Sequence, residues 1–231
     1  SPVVREISFD VYAGEIFVIL GGSGCGKSTL LKHMIGLNPP LAGEIRLMGD
    51  RLFGVSQEER LRALRHFGVT YQSGALFGSM TLLENVCLPL ESFTDLPREA
   101  RCLVAEMKLE LVGLKEYACY FPSDISGGMK KRAAIARAMA LDPRILFLDE
   151  PSAGLDPVTS AGLDRLILHL RDTQGVTVVM VTHELASIFA VADRCVMLDK
   201  QEQRLIATGS PAELREHSEH PAVRAFFNRE G

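Results

Sequence analysis

Nine residues, Gly21 to Thr29, read GGSGCGKST and fit the spacing G-x-x-x-x-G-K-[ST] between an apolar run and a segment of helical spacing. Gly21, Gly22, Gly24 and Gly26 let the backbone turn tightly enough that successive N–H groups, those of Ser23, Cys25 and Thr29 among them, point inward at phosphates. Lys27 adds a point charge at the β/γ end, and Ser28 offers a hydroxyl to Mg²⁺. The chemistry is that of a nucleoside triphosphate site. Further on, ILFLDEP (Ile145 to Pro151) carries two carboxylates at the end of an apolar strand, where α/β sheets bind ligands. Adjacent side chains on a strand point to opposite faces, so Asp149 and Glu150 divide the work. Asp149 is placed to orient hydrated Mg²⁺, and Glu150 to polarise an attacking water as general base. His183 ends a third strand-like run at VTH and could hold that water as charge develops. Gln72 ends a strand at FGVTYQ, where its amide could sense Mg²⁺ and water.

A second phosphate-suited feature stands apart from the first. SDISGGMKKRAAIARA (Ser123 to Ala138) opens a helix at Ser126-Gly127-Gly128 and follows it with Lys130, Lys131 and Arg132. The helix dipole disfavours cations near an N-terminus, so an anion is expected there. Met129 occupies a place where a polar side chain would serve such a ligand better, and the basic turn has no role of its own at this stage. SAGLDP (Ser152 to Pro157) is a turn before a proline-started helix, in which Asp156 is either a simple cap or a functional carboxylate.

Short apolar strands must position these residues. They fall at Ile16 to Leu20, Phe67 to Tyr71, Ile145 to Asp149 and Thr177 to Thr182, with helices between them, which predicts a mostly parallel sheet covered on both faces. REISFDVYAGE alternates Ile7, Phe9 and Val11 and predicts an opening half-buried strand. A helix is predicted over Pro157 to Thr173, with Val158, Leu163, Leu166, Ile167 and Leu170 on one side. Two short strands are predicted between Arg194 and Ala207, then a helical tail. From about Ser73 to Pro143 the signals are helical, which predicts an inserted helical subdomain.

Composition narrows the class. With 231 residues, 47% hydrophobic and 23% charged, the chain is ordinary for a globular protein, and its net charge of -4 speaks against a dedicated nucleic-acid binder. No apolar run reaches the ~20 residues needed to span a bilayer. Five scattered cysteines without paired ligand spacing suit a reducing cytosolic compartment and no structural zinc. The chain opens without Met inside a strand-like pattern, which suggests trimming at the N-terminus.

Taken in order, GGSGCGKST, Gln72, ISGGM, ILFLDEP with SAGLD, and VTHE resemble the ATP-binding cassette (ABC) ATPase family over essentially the whole chain. The resemblance implies an α/β P-loop NTPase of the ABC type, with a small antiparallel β portion. It implies a single domain over 1–231, with 1–72 and 144–231 as a RecA-like core and about 73–143 as the helical subdomain. It further implies ATP hydrolysis with Mg²⁺ by a head-to-tail homodimer, each ATP lying between one subunit's Gly21–Thr29 loop and the other's Ser126-Gly127-Gly128. On matching positions Gln72 is the Q-loop residue, Glu150 the catalytic base, Asp156 the D-loop aspartate facing the other subunit and His183 the switch histidine; Ser28, Gln72 and Asp149 would hold the metal. The family's signature usually reads L-S-G-G-Q, and Ile125 and Met129 depart from it. Its adenine-stacking aromatic is not in this chain.

YQSGALFGSMTLLENVCLPLE (Tyr71 to Glu91), SGGMKKR and PAVRAFFN are similar to the ATPases of lipid transporters with MCE-domain partners, the maintenance-of-lipid-asymmetry group and its chloroplast relatives. In that group S-G-G-M is usual. The likeness implies phospholipid movement between bacterial inner and outer membranes, a permease docked near the Q-loop, an MCE-domain partner, and a peripheral place on the cytoplasmic face of the inner membrane. An ABC ATPase of another substrate class, or a non-transport ABC protein, stays open. About 100 residues separate Lys27 from Ser126 without sustained heptads, which speaks against a coiled-coil clamp.

Overall fold

In a computed structural model, residues 4–228 are described. The run IFVILG has no polar side chain and can be accommodated only where both faces are covered. It becomes β1 (Ile16–Gly21), buried along its whole length. Its alternate residues serve different layers: Ile16, Val18 and Leu20 join one buried cluster, while Phe17 and Ile19 join another on the opposite face. The next elements are α1 (Lys27–Met34), the hairpin β2 (Arg46–Leu47) and β3 (Asp50–Arg51), α2 (Gln57–Arg65) and β4 (Phe67–Thr70). Three helices follow: α3 (Leu82–Phe93), α4 (Arg98–Leu111) and α5 (Gly127–Ala138). The chain then returns through β5 (Ile145–Asp149), α6 (Pro157–Gln174), β6 (Thr177–Val181), α7 (Leu185–Val191), β7 (Arg194–Leu198), β8 (Leu205–Gly209), α8 (Pro211–His217) and α9 (Pro221–Asn228).

The main sheet runs β4-β5-β6-β1-β7-β8. All its pairings are parallel except β7 with β8, and β2 pairs antiparallel with β3 in a separate ribbon. Register brings Asp149 opposite Val181, and Gly21 opposite Leu198. β4, β5, β6 and β1 are therefore consecutive, and their C-terminal ends share one edge.

Two expectations are corrected. The stretch from Arg5 to Glu15 forms no strand. Ile7, Phe9 and Val11 are half-buried while their neighbours are mostly exposed, and Phe9 stacks on Phe17 at 5.2 Å, so the alternation reports burial without a ladder. The β2–β3 ribbon pairs only with itself, and a cleft of about 1110 Å³ separates it from this stretch. Val158 is 78% exposed: as the second residue of α6 it lies where the helix projects from the core, while Leu163, Ile167 and Leu170 are buried. Helix α2 went unanticipated because it buries only Ala63, leaving no apolar stripe to read; its mark is the capping box of Ser56 and Glu59. The last predicted tail residues, 229–231, lie outside the described residues.

Candidate active site

The edge shared by β4, β5, β6 and β1 carries Gln72, Asp149 with Glu150, His183 and the glycine loop, each just at or beyond its strand. Gly21 has φ +148°, and a Cβ there would sit 2.5 Å from both the Leu198 carbonyl and Cys25 Sγ, so only glycine fits where the loop leaves the sheet. Lys27 donates from Nζ to the carbonyls of Gly21 at 2.7 Å and Gly22 at 3.1 Å, which holds its charge inside the loop. Ser28 and Thr29 belong to the first turn of α1, which contains no acidic residue to compete for its free N–H groups.

Glu150 leaves β5 with φ +46°, a left-handed conformation that costs a non-glycine residue about 1 kcal/mol or more. Its N–H donates to the Val181 carbonyl at 2.8 Å, anchoring it to β6, and its carboxylate turns toward His183, two residues beyond that strand. His183 Nδ1 lies 2.8 Å from Glu150 Oε1. The other oxygen, Oε2, is buried and has no partner among the described residues. A buried acceptor with an open lone pair calls for a donor, and a water molecule suits it. Burial, and then the neighbouring Glu150, raise the Asp149 carboxyl above its ordinary range, while Lys27, Lys32 and Lys131 pull it down. Asp149, the Ser28 hydroxyl and the Gln72 amide oxygen are hard oxygen donors, the chemistry suited to a Mg²⁺ that keeps several waters. Gln72 is exposed.

Ser126, Gly127 and Gly128 form a different cluster. Ser126 caps α5, its hydroxyl accepting from the Met129 N–H at 3.3 Å. A Cβ on Gly128 would meet Thr159 Cγ2 at 2.4 Å, so glycine is what lets α5 approach the start of α6. Met129 is half-buried and packs against the larger apolar cluster, which explains why a methionine is tolerated at this helix start. Asp156 caps α6, accepting from the N–H groups of Val158 at 3.0 Å and Thr159 at 3.1 Å and from the Thr159 hydroxyl. The Thr159 hydroxyl, then its N–H, hold the carboxyl below its ordinary range. Within one chain, Asp156 acts as that cap.

Three polar residues near the site received no role from the sequence. Lys131 reaches the carbonyls of Gln72 and of Glu150, the latter at 3.2 Å. Arg137 donates to the carbonyls of Ala75 at 2.8 Å and Gly74 at 3.1 Å. Asn85, fully buried in α3, accepts from the Phe77 N–H at 2.8 Å and donates to the carbonyls of Phe77, Met80 and Thr81. Together Arg137 and Asn85 shape the loop that follows Gln72. The available signal was an asparagine on the apolar face of ENVCLPL, where burial requires partners. Asn85→Ala strands these backbone groups, and a loss of about 3 kcal/mol is expected by chemical denaturation; a change within error would show that water replaces the amide.

The fold and this edge define a P-loop domain of the ATP-binding cassette type. The model of the ABC transporter family matches residues 4–153, and the chain belongs to that family. It is 42% identical over 99% of its length to "Probable ribonucleotide transport ATP-binding protein mkl" of Mycobacterium leprae (strain TN), spanning 65% of that relative. It is 39% identical to "Intermembrane phospholipid transport system ATP-binding protein MlaF" of Escherichia coli (strain K12), covering 98% of this chain and 83% of that one. Among solved structures it matches the dimeric ATP-binding cassette MJ0796 bound to ADP and Pi, with TM-score 0.80, 30% identity and 90% of each chain covered. Among the described residues no helix is long and apolar enough to cross a membrane.

Proposed function

We propose that the chain is the ATP-hydrolysing subunit of an ABC transporter that moves phospholipid between the inner and outer membranes of a bacterium. It would act at the cytoplasmic face of the inner membrane, as a head-to-tail homodimer bound to a permease and served by an MCE-domain partner. The observation that carries the reading is the 2.8 Å contact of His183 with Glu150 on the same sheet edge as the Lys27 loop. The likeness to MlaF supports the lipid, and the presence of two phosphate-suited clusters in one chain supports the dimer.

On this reading Lys27 and the Gly21–Thr29 amides hold the triphosphate. Glu150 accepts the proton of the attacking water, and His183 orients that carboxylate and faces the phosphate being released. Ser28, Gln72 and Asp149 would hold Mg²⁺, which supplies charge neutralisation on the phosphates when bound. Ser126, Gly127 and Gly128 would close over the ATP of the partner subunit, with Asp156 between the two copies.

The mkl relative favours a second reading, since its name specifies ribonucleotide transport. Mass spectrometry of the complex isolated with its permease separates the two. Bound phospholipid is expected; a complex that carries ribonucleotide and exchanges no lipid between labelled vesicles would replace the first reading with the second.

A further inference from the structure

The basic turn Lys130, Lys131, Arg132 is not one uniform patch. Arg132 extends along α5 to the Val112 carbonyl at 3.4 Å, tying α5 to the end of α4. Lys131 goes the other way. Its Nζ donates to the carbonyls of Gln72 and of Glu150, which lie two residues beyond β4 and one beyond β5. The side chain is half-buried, and the carboxylates whose fields reach it are those of Glu150, Asp149 and Glu184. A cation this close to the start of α5 opposes the helix dipole. That cost is offset by two carbonyls and by a pair of adjacent carboxylates whose mutual repulsion it reduces.

We propose that Lys131 is a positioning residue that couples the start of α5 to the catalytic edge of its own subunit. This rests on the ATPase reading above. If Ser126–Gly128 closes over ATP on the partner's loop, the start of α5 responds to one site while Lys131, in the same helix, grips Gln72 and Glu150 of the other. A shift of α5 on closure is carried through Nζ to the backbone that aims Glu150 at its water. Lys131 touches no reacting atom in this scheme; it sets where Glu150 stands.

The test uses the complex with its permease, comparing wild type with Lys131→Met, which keeps the aliphatic stem, and Lys131→Arg, which keeps charge and donors. Steady-state hydrolysis, affinity for a fluorescent ATP analogue and the melting temperature are measured for each. Lys131→Met is expected to lower kcat about tenfold, because misplacing a catalytic group by a fraction of an ångström is costly. KM, analogue affinity and melting temperature stay at wild-type values, the Hill coefficient for ATP falls toward one, and Lys131→Arg recovers most of the rate. An unchanged kcat in Lys131→Met overturns the proposal. So does a loss of analogue affinity, which would make Lys131 a nucleotide ligand, or a drop in kcat that tracks the melting temperature and is not recovered by arginine. Wild-type turnover and its loss in Glu150→Gln are measured alongside. A wild type that does not hydrolyse ATP overturns both readings, whereas turnover matched by Lys131→Met overturns only this one.

Discussion

Glu150→Gln is expected to bind ATP with near wild-type affinity and to lose about 10²- to 10⁴-fold in turnover, the range associated with removing a general base. The substitution keeps the size of the side chain and its place beside His183, so the fold and the Gly21–Thr29 loop are undisturbed. What disappears is basicity. A glutamine oxygen can still accept a hydrogen bond from water, but it cannot take the proton as the new bond forms. With binding intact and hydrolysis blocked, the ATP-bound dimer accumulates, and gel filtration in MgATP should show a shift from monomer to dimer that wild type shows only transiently. Turnover at the wild-type rate would remove Glu150 from the role of base. In that case the 2.8 Å contact with His183 and the left-handed backbone at Glu150 would be structural features of the strand end.

The parts of this edge that were readable in advance are those set by burial on both faces. IFVIL, ILFL and TVVMV contain too few polar groups to lie anywhere but in the middle of a covered sheet, and β1, β5 and β6 are all buried there. Once three such strands are parallel, whatever follows each of them converges, so it is the position of His183 after β6, and not its residue type, that places it beside Glu150. The small antiparallel portion, implied by the resemblance alone, and helix α2, which was not anticipated, lack that constraint. The β2–β3 ribbon has two residues per strand, and α2 buries a single alanine, so neither imprints a period on the sequence. The opening stretch shows the converse: alternate side chains can be sheltered by a neighbouring layer without any backbone ladder.

At the second cluster the sequence misdirected in an instructive way. Met129 reads as a defect if the side chain is assumed to face a ligand, yet it packs on the apolar cluster, and the groups available at this helix start are amides and the Ser126 hydroxyl. The three cations beside it have no role legible in the sequence, and in the structure Lys131 and Arg132 reach to different carbonyls. Side-chain direction on a short, polar turn depends on tertiary neighbours, and no local pattern encodes it.

Lys27→Ala is expected to act on binding first and on turnover as a consequence, the reverse of Glu150→Gln. Lys27 Nζ is held by the carbonyls of Gly21 and Gly22, so the loop presents a fixed positive charge among its inward amides. Removing it deletes a charge-assisted contact to phosphate and also leaves two carbonyl dipoles facing the place where negative charge must enter. A hydrogen bond to a charged group is worth about 1.5–3 kcal/mol, so ATP affinity should fall by roughly 10- to 150-fold. The melting temperature without nucleotide should hardly change, because the hydrogen bonds that Nζ makes lie in an open loop and not in the core. ATP added at about ten times the wild-type Kd should stabilise wild type and Glu150→Gln far more than Lys27→Ala, since ligand stabilisation follows RT ln(1 + [L]/Kd). Equilibrium binding of ATP and melting curves with and without it check both points. Unchanged affinity and turnover would mean that the glycine loop closes on nothing, and the case for a triphosphate at this edge would fail with it.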